Sequence, residues 1–305
     1  MTATRFANGG LLLRLPFCGP LDWPATLAYL AARAIPGVEH VRDGTYRRTV
    51  TVGGDPGVVE LSRGGEEHLL LRAHLPHWEE LTHLVASARR VANLDLDVEE
   101  PARRLAADPI LGPLLRGRPG VRPTGTLDPF ETGVRAIVGQ QVSIAAANTI
   151  SGRLVERLGR RVPGLAAMGL SHTFPAPETL AVAGLDDLGL TRARAGAIRA
   201  FARAVAADTV RLDGSVGLDR LVADLGELDG LGPWTAHYLA LRLGEPDAWP
   251  VGDAGLRRAL QGNAGGGDAA LAERWRPWRA LAAAHLWTAG AARRVASRTA
   301  RPDPP

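Results

Sequence analysis

Around Asp95–Pro101 (DLDVEEP) the hydrophobic pattern of this chain changes period, and that change limits what it can fold into. Before it, Tyr46–Val52 (YRRTVTV), Gly57–Ser62 (GVVELS) and His68–Ala73 (HLLLRA) are β-branched or alternating runs parted by Gly and Asp, which is the pattern of strands. Two helical stretches flank them: Leu21–Ala34, with Asp22 placed to cap it and Pro24 early in its first turn, and His77–Asn93. After the break, apolar residues recur at helical spacing almost to the end. Helices are expected over Pro109–Leu115, Pro129–Gly139, Ile144–Leu158, Pro177–Val182, Arg192–Ala206, Leu218–Leu225, Pro233–Leu243, Ala254–Leu260, Ala269–Trp275 and Arg279–Trp287. Gly262–Gly267 reads as a surface loop, and the proline-rich Ser297–Pro305 as a disordered tail. The acidic, proline-ended break is the expected domain boundary. The chain therefore predicts an α+β protein, with a small mixed α/β domain ahead of a many-helix body.

Length and cysteine count narrow the chemistry. At 305 residues the chain has room for two domains at about 150 residues each. No stretch approaches the ~18 apolar residues of a membrane span. The apolar run at the amino terminus is broken by Arg14 and Pro16, so no signal peptide is expected. Cys18 is the single cysteine, which excludes an internal disulfide and any cysteine-ligated zinc or iron–sulfur site. It also fits a reducing cytoplasm. Every one of the 36 basic residues is arginine. Whatever the genomic cause, arginine stays protonated and is a poor amine nucleophile, so no side chain here can form a Schiff base with a sugar aldehyde. A net charge of +4 carried on guanidinium groups is compatible with phosphate binding and is weak support for it alone.

The most informative segment is Leu221–Gly244, LVADLGELDGLGPWTAHYLALRLG. An amphipathic helix ends near Gly226, a tight L-D-G-L-G turn follows, and a second helix starts at Pro233. Gly230 and Gly232 let the backbone take positive φ or approach another molecule closely. Proline at the first helical position leaves a helix terminus whose unpaired N–H groups suit a phosphate. By spacing alone the same residues would also make an ordinary αα-hairpin.

The segment resembles the helix-hairpin-helix of the base-excision glycosylases that carry this hairpin, a Gly/Pro-rich loop and a catalytic aspartate. The wider chain is similar to the bacterial 3-methyladenine DNA glycosylase II family, the AlkA type. The similarity runs in order through LAARAIPGVEHV (Leu30–Val41), FETGVRAIVGQQVSIAAA (Phe130–Ala147), LGLTRARAGAIRAFA (Leu188–Ala202), the hairpin, and ERWRPWRALAAAHLW (Glu273–Trp287). It implies an antiparallel sheet with helices in the first domain, then a two-lobed all-α helix-hairpin-helix glycosylase body. The expected divisions are an α/β domain over 1–100, a helical domain with the hairpin over 128–245, a second lobe from 101–127 plus 246–295, and a tail over 296–305.

By resemblance the catalytic aspartate falls on Asp253 of PVGDAGLRRAL, nineteen residues beyond Trp234. Asp253 also precedes a short helix and reads equally as its N-cap; the two roles are compatible, because a helix start favours an anion. Cleaving an N-glycosidic bond builds positive charge on the deoxyribose, which a nearby carboxylate stabilises. Trp234 and Tyr238 are four apart and share a helix face. The resemblance places both, with Trp287, in the base pocket, where electron-rich rings attract a cationic alkylated purine by roughly 0.5–2 kcal/mol each. Packing in the core is the alternative for any tryptophan, and the expected role of Trp275 and Trp278.

The remaining implications follow from the same family. Gly230, Gly232, Pro233, Trp234 and Thr235 would grip the DNA phosphate backbone. The intercalating wedge falls on Gln141 of GQQVS, where the archetype has leucine; glutamine intercalates less well but can bond the orphaned base. A sodium or potassium ion would sit on the backbone carbonyls of Gly226, Leu228 and Leu231, and no other cofactor is required. Arg192, Arg194, Arg293, Arg294 and Arg298 are either phosphate contacts or solvated surface. Relatives that cut the backbone carry a lysine where Trp234 stands, and the iron–sulfur and fused methyl-acceptor branches need cysteines absent here. The expectation is thus a cytoplasmic, nucleoid-associated monomer that binds damaged duplex DNA and not membrane. It would release 3-methyladenine, 7-methylguanine and related bases, without strand cleavage. A catalytically silent lesion sensor, or a glycosylase for another damaged purine such as hypoxanthine or an oxidised purine, are the competing readings.

Overall fold

The computed structural model describes residues 10–261 and 268–299; the loop expected at 262–267 and residues 300–305 of the expected tail lie outside them. Five strands form one antiparallel sheet: β1 (Leu11–Pro16), β2 (Glu39–Arg42), β3 (Thr45–Val52), β4 (Asp55–Arg63) and β5 (His68–His74), in the order β1-β5-β4-β3-β2. Tyr46 pairs with Leu61, and Leu61 with Leu71. Strand alternation then puts Tyr46, Val59, Leu61, Leu69, Leu71 and Ala73 on one buried face. Helices α1 (Trp23–Arg33) and α2 (Leu81–Val91) cover it with Trp23, Leu30, Leu84, Ala88 and Val91. As expected, Asp22 caps α1, its carboxylate accepting the Ala25 N–H at 2.9 Å. Val58 on the opposite face packs against Val162, Leu165 and Leu170, around a 3-10 turn at Ala166–Met168.

The helical body holds α3 (Glu99–Arg104), α4 (Leu111–Gly117), α5 (Pro129–Val138), α6 (Ile144–Leu158), α7 (Pro177–Val182), α8 (Arg192–Ala206), α9 (Leu218–Gly226), α10 (Pro233–Leu243), α11 (Ala254–Leu260), α12 (Asp268–Ala272) and α13 (Arg279–Thr299). Val134, Ile137, Phe201, Leu225, Leu239, Leu256, Trp275 and Leu281 belong to one continuous core. No helix among the described residues is long and apolar enough to cross a membrane.

Several expectations shift. Strands β1 and β2 were not among the three expected, because they are the sheet edges: β1 alternates only partly, and β2 is four residues of mixed polarity. The last three residues of the expected break are helix, since α3 starts at Glu99 with acidic residues in its first turn and Arg103 and Arg104 in its last, the arrangement a helix dipole favours. Helix α2 begins at Leu81 rather than His77. Helix α13 continues past Trp287 to Thr299, into the start of the expected tail.

What joins the two halves is a buried ionic cluster. Arg48 of β3 meets Glu131 of α5 at 2.5 Å, and Arg135 reaches Glu39 at 2.8 Å and Glu131 at 3.0 Å. The Tyr46 hydroxyl and the Ile35 N–H also donate to Glu39, at 2.6 and 3.0 Å. Burial pushes the Glu39 carboxyl up, yet Arg135 and Arg48 hold it below the usual range; at Glu131 burial prevails and the carboxyl is raised. Removing one partner leaves an uncompensated buried charge. Arg48→Met should therefore lower unfolding stability by about 3–5 kcal/mol in urea titrations, and adding Glu131→Leu should recover much of that loss.

Candidate functional site

Helix α10 starts where the sequence demands it. Glu227 and Leu228 close α9, Gly230 turns the chain with φ +85°, and Gly232 precedes Pro233. A β-carbon on Gly230 would sit 2.7 Å from the Ala197 side chain of α8, so the turn is both left-handed and pressed against a neighbour. The first bond within α10 runs from Ala236 N–H to the Gly232 carbonyl. The N–H groups of Trp234 and Thr235 precede it, without an intrahelical partner, beside exposed Gly232 and Pro233. Thr235 itself is buried, and its hydroxyl takes a bond at 3.2 Å from Gln140, so of this residue only the backbone remains for a phosphate.

Asp253 stands at the centre of the site. It caps α11: its Oδ1 accepts the N–H groups of Gly255 at 2.8 Å and Leu256 at 2.9 Å. The same oxygen accepts the Trp287 indole N–H at 2.9 Å, while Oδ2 accepts that of Trp234 at 3.1 Å. All four contacts are N–H donors, which suits a charged carboxylate. Two of them come from the residues expected in the base pocket. Asp253 is thus an N-cap whose carboxylate also bonds two indoles of the aromatic cluster.

The rings form a corner. Trp234 and Tyr238 stack with centroids 5.2 Å apart at 19°, and Trp287 meets Tyr238 edge-on at 6.3 Å. All three are half-buried. Behind them lies buried Arg242, whose guanidinium donates to the Thr124 carbonyl and sits 4.7 Å from the Tyr238 centroid and 5.1 Å from that of Trp287. Tyr29 of α1 closes the corner, its hydroxyl 2.9 Å from that of Tyr238.

Residues 12–128 match the AlkA N-terminal domain, and residues 134–269 match the HhH-GPD superfamily of base excision DNA repair proteins. DNA-3-methyladenine glycosylase 2 of Escherichia coli is 33% identical over 88% of this chain and 94% of its own. That match decides the family. The chain belongs to the AlkA family of HhH-GPD base excision repair proteins. A protein of Mycobacterium tuberculosis named "Probable bifunctional transcriptional activator/DNA repair enzyme AlkA" is 40% identical over 92% of this chain, which spans 57% of that relative's length. A solved structure, the 3-methyladenine DNA glycosylase from Archaeoglobus fulgidus, shares the fold with a TM-score of 0.79 at 23% identity, covering 92% of this chain and 98% of that one.

Within this AlkA-type frame, Gln141 is exposed on the turn between α5 and α6 with φ +56°, a left-handed geometry that strains a non-glycine residue. The turn is tied to the hairpin: Gln140 Nε2 donates to the Gly230 carbonyl at 2.9 Å as well as to Thr235, and Arg194 donates to the Gln140 carbonyl. Arg194, expected as a phosphate contact or solvated surface, is partly buried and spends one guanidinium N–H on that carbonyl. Arg192 and Arg293 are exposed, and the side chains of Arg294 and Arg298 lie outside the described residues. Trp275 is core, its indole donating to Asp108 at 3.0 Å, and Trp278 packs against the same core. Gly226, Leu228 and Leu231 lie at the turn between α9 and α10, where the Leu228 carbonyl accepts the Leu231 N–H at 3.1 Å. Among the described residues no group of three or more His, Cys, Asp or Glu is placed to hold a metal.

Sequence reading missed Tyr29, Gln140, Arg242 and Gly255. The last had a signal, a glycine two places beyond the aspartate. A β-carbon there would lie 2.9 Å from Asp253 Oδ1 and 3.1 Å from Trp287 Cδ1. Gly255→Ala should therefore cost about 1–3 kcal/mol in thermal or urea unfolding by overpacking the carboxylate against the indole. Gly226→Ala, which meets open space, should leave stability within about 1 kcal/mol of the parent or raise it.

Proposed function

We propose that this protein is a monofunctional DNA glycosylase that hydrolyses the N-glycosidic bond of alkylated purines such as 3-methyladenine and 7-methylguanine in duplex DNA. The observation that carries it is the Asp253 carboxylate held by the indoles of the same aromatic corner that would receive the base. The N-terminus of α10 holds a phosphate through the N–H groups of Trp234 and Thr235, assisted by a monovalent cation on the carbonyls of Gly226, Leu228 and Leu231. Gln141, on its turn beside the hairpin, fills the gap left by the extruded nucleotide. Grip, wedge and pocket all come from one chain, so the protein acts as a monomer.

In the pocket the C1′–N bond breaks as positive charge gathers on the deoxyribose. Water adds to C1′ and gives up a proton to solvent, and the cationic base leaves as the neutral purine. Asp253 stabilises the charged sugar. Its Oδ2 has a single N–H partner, against three on Oδ1, and is the oxygen assigned to the sugar. With no lysine in the chain, no side-chain Schiff base forms and the abasic strand stays whole.

The test is base release from duplexes carrying 3-methyladenine or 7-methylguanine. Free base and an intact strand that breaks only after alkali are expected. Asp253→Asn should lose at least about 100-fold in single-turnover rate while keeping DNA affinity. That affinity should fall steeply with salt as phosphate contacts release counterions. Nicking without alkali, or full activity in Asp253→Asn, would overturn the mechanism.

A further inference from the structure

Base stacking uses the ring of Tyr238, and nothing in it requires Tyr29. Yet the two hydroxyls meet at 2.9 Å across 209 positions of sequence, joining the N-terminal domain to the pocket. The pair lies among guanidinium groups. Arg242 sits 4.4 Å from the Tyr29 centroid and 4.7 Å from that of Tyr238, and Arg33 of α1 stands 4.0 Å from Tyr29. Arg135 of α5 adds positive charge, and the Asp253 carboxylate opposes it at Arg242. A fixed cation behind the rings works against a cationic base in front of them, by direct repulsion and by drawing on the same ring electrons. A negative charge on the ring hydroxyls would offset it.

We propose that Tyr29 is a specificity-determining residue, which with Tyr238 forms a proton-sharing hydroxyl pair that sets whether the pocket donates or accepts a hydrogen bond toward the base. With both protons present, one O–H joins the two oxygens and the other is free to donate. When one proton leaves to solvent, the oxygens share the remaining proton, carry one negative charge and present lone pairs only. The charged pair balances Arg242 and suits a cationic alkylated purine. The neutral pair suits an uncharged base that offers an acceptor atom.

The local charges put this exchange near neutrality. Burial raises the Tyr238 phenol, but Arg242, Arg33 and the bond from Tyr29 outweigh it and bring it down to about 7. Burial pushes the Tyr29 phenol up to about 12, so the second proton stays.

The substrate side of this proposal rests on the base-excision reading; the titration does not. Tyrosinate absorbance of the free protein should show one phenol titrating near pH 7. The transition should move upward in Tyr29→Phe and vanish in Tyr238→Phe. In base-release assays, the kcat/KM ratio for 7-methylguanine over hypoxanthine should rise roughly 10-fold between about pH 6 and pH 8 in the parent, following the ionised fraction of one group. It should be flat over that range in Tyr29→Phe. Taking a ratio removes any ionisation that affects both substrates equally. Absence of tyrosinate below about pH 9, or an unchanged pH-dependent ratio in Tyr29→Phe, overturns the pair. Release of neither base, with the titration as expected, overturns the base-excision reading instead.

Discussion

The buried cluster of Glu39, Arg48, Glu131 and Arg135 is the constraint on which the working geometry depends. It has no counterpart in either half alone: two members come from the sheet and two from α5. Desolvating four charges is tolerable only when every one is paired, so the cluster accepts few relative placements of the sheet and the helical body. Two parts of the site hang from it. Helix α5 runs into the turn that carries Gln140 and Gln141, and Arg135 also donates to the Arg33 carbonyl at the end of α1, the helix that presents Tyr29. A domain with no catalytic residue of its own thereby shapes the pocket.

The second constraint is local. Asp253 gathers α10, α11 and α13 through four N–H donors, and this explains why two tryptophans so far apart in sequence end at one carboxylate. The indoles serve two purposes at once: their faces build the corner, and their N–H groups orient the anion. Either tryptophan could be read from sequence as core or as pocket, and the structure makes each a half-buried wall bonded to Asp253. Similarly, the Gln140 amide ties the turn that carries Gln141 to the hairpin, through the Gly230 carbonyl and the Thr235 hydroxyl.

Much of this was legible because it depends on local periodicity and turn chemistry. The helix boundaries at Pro129, Ile144, Pro177, Arg192 and Pro233 follow from caps and prolines that act within a few residues. The edge strands β1 and β2 were not, since an edge strand has one neighbour and a weak burial pattern. Trp234 and Tyr238 were visible as a face at four-residue spacing. Tyr29 was not, because its role depends on a contact 209 positions away, and Arg242 looked like any helix-face arginine until burial placed it behind three rings.

Sequence by itself determined the two-part organisation, the hairpin and its helix terminus, the capping aspartate, and the exclusion of lysine and cysteine chemistry, for each rests on residue identity and short-range geometry. Tertiary structure decided which N–H groups hold Asp253, that Thr235 is buried and Arg194 bonds the Gln140 carbonyl, and that Tyr29 and Arg242 enter the pocket. Those outcomes depend on how desolvated charges and rings from distant segments satisfy one another, and that is fixed only when the sheet docks on the helices.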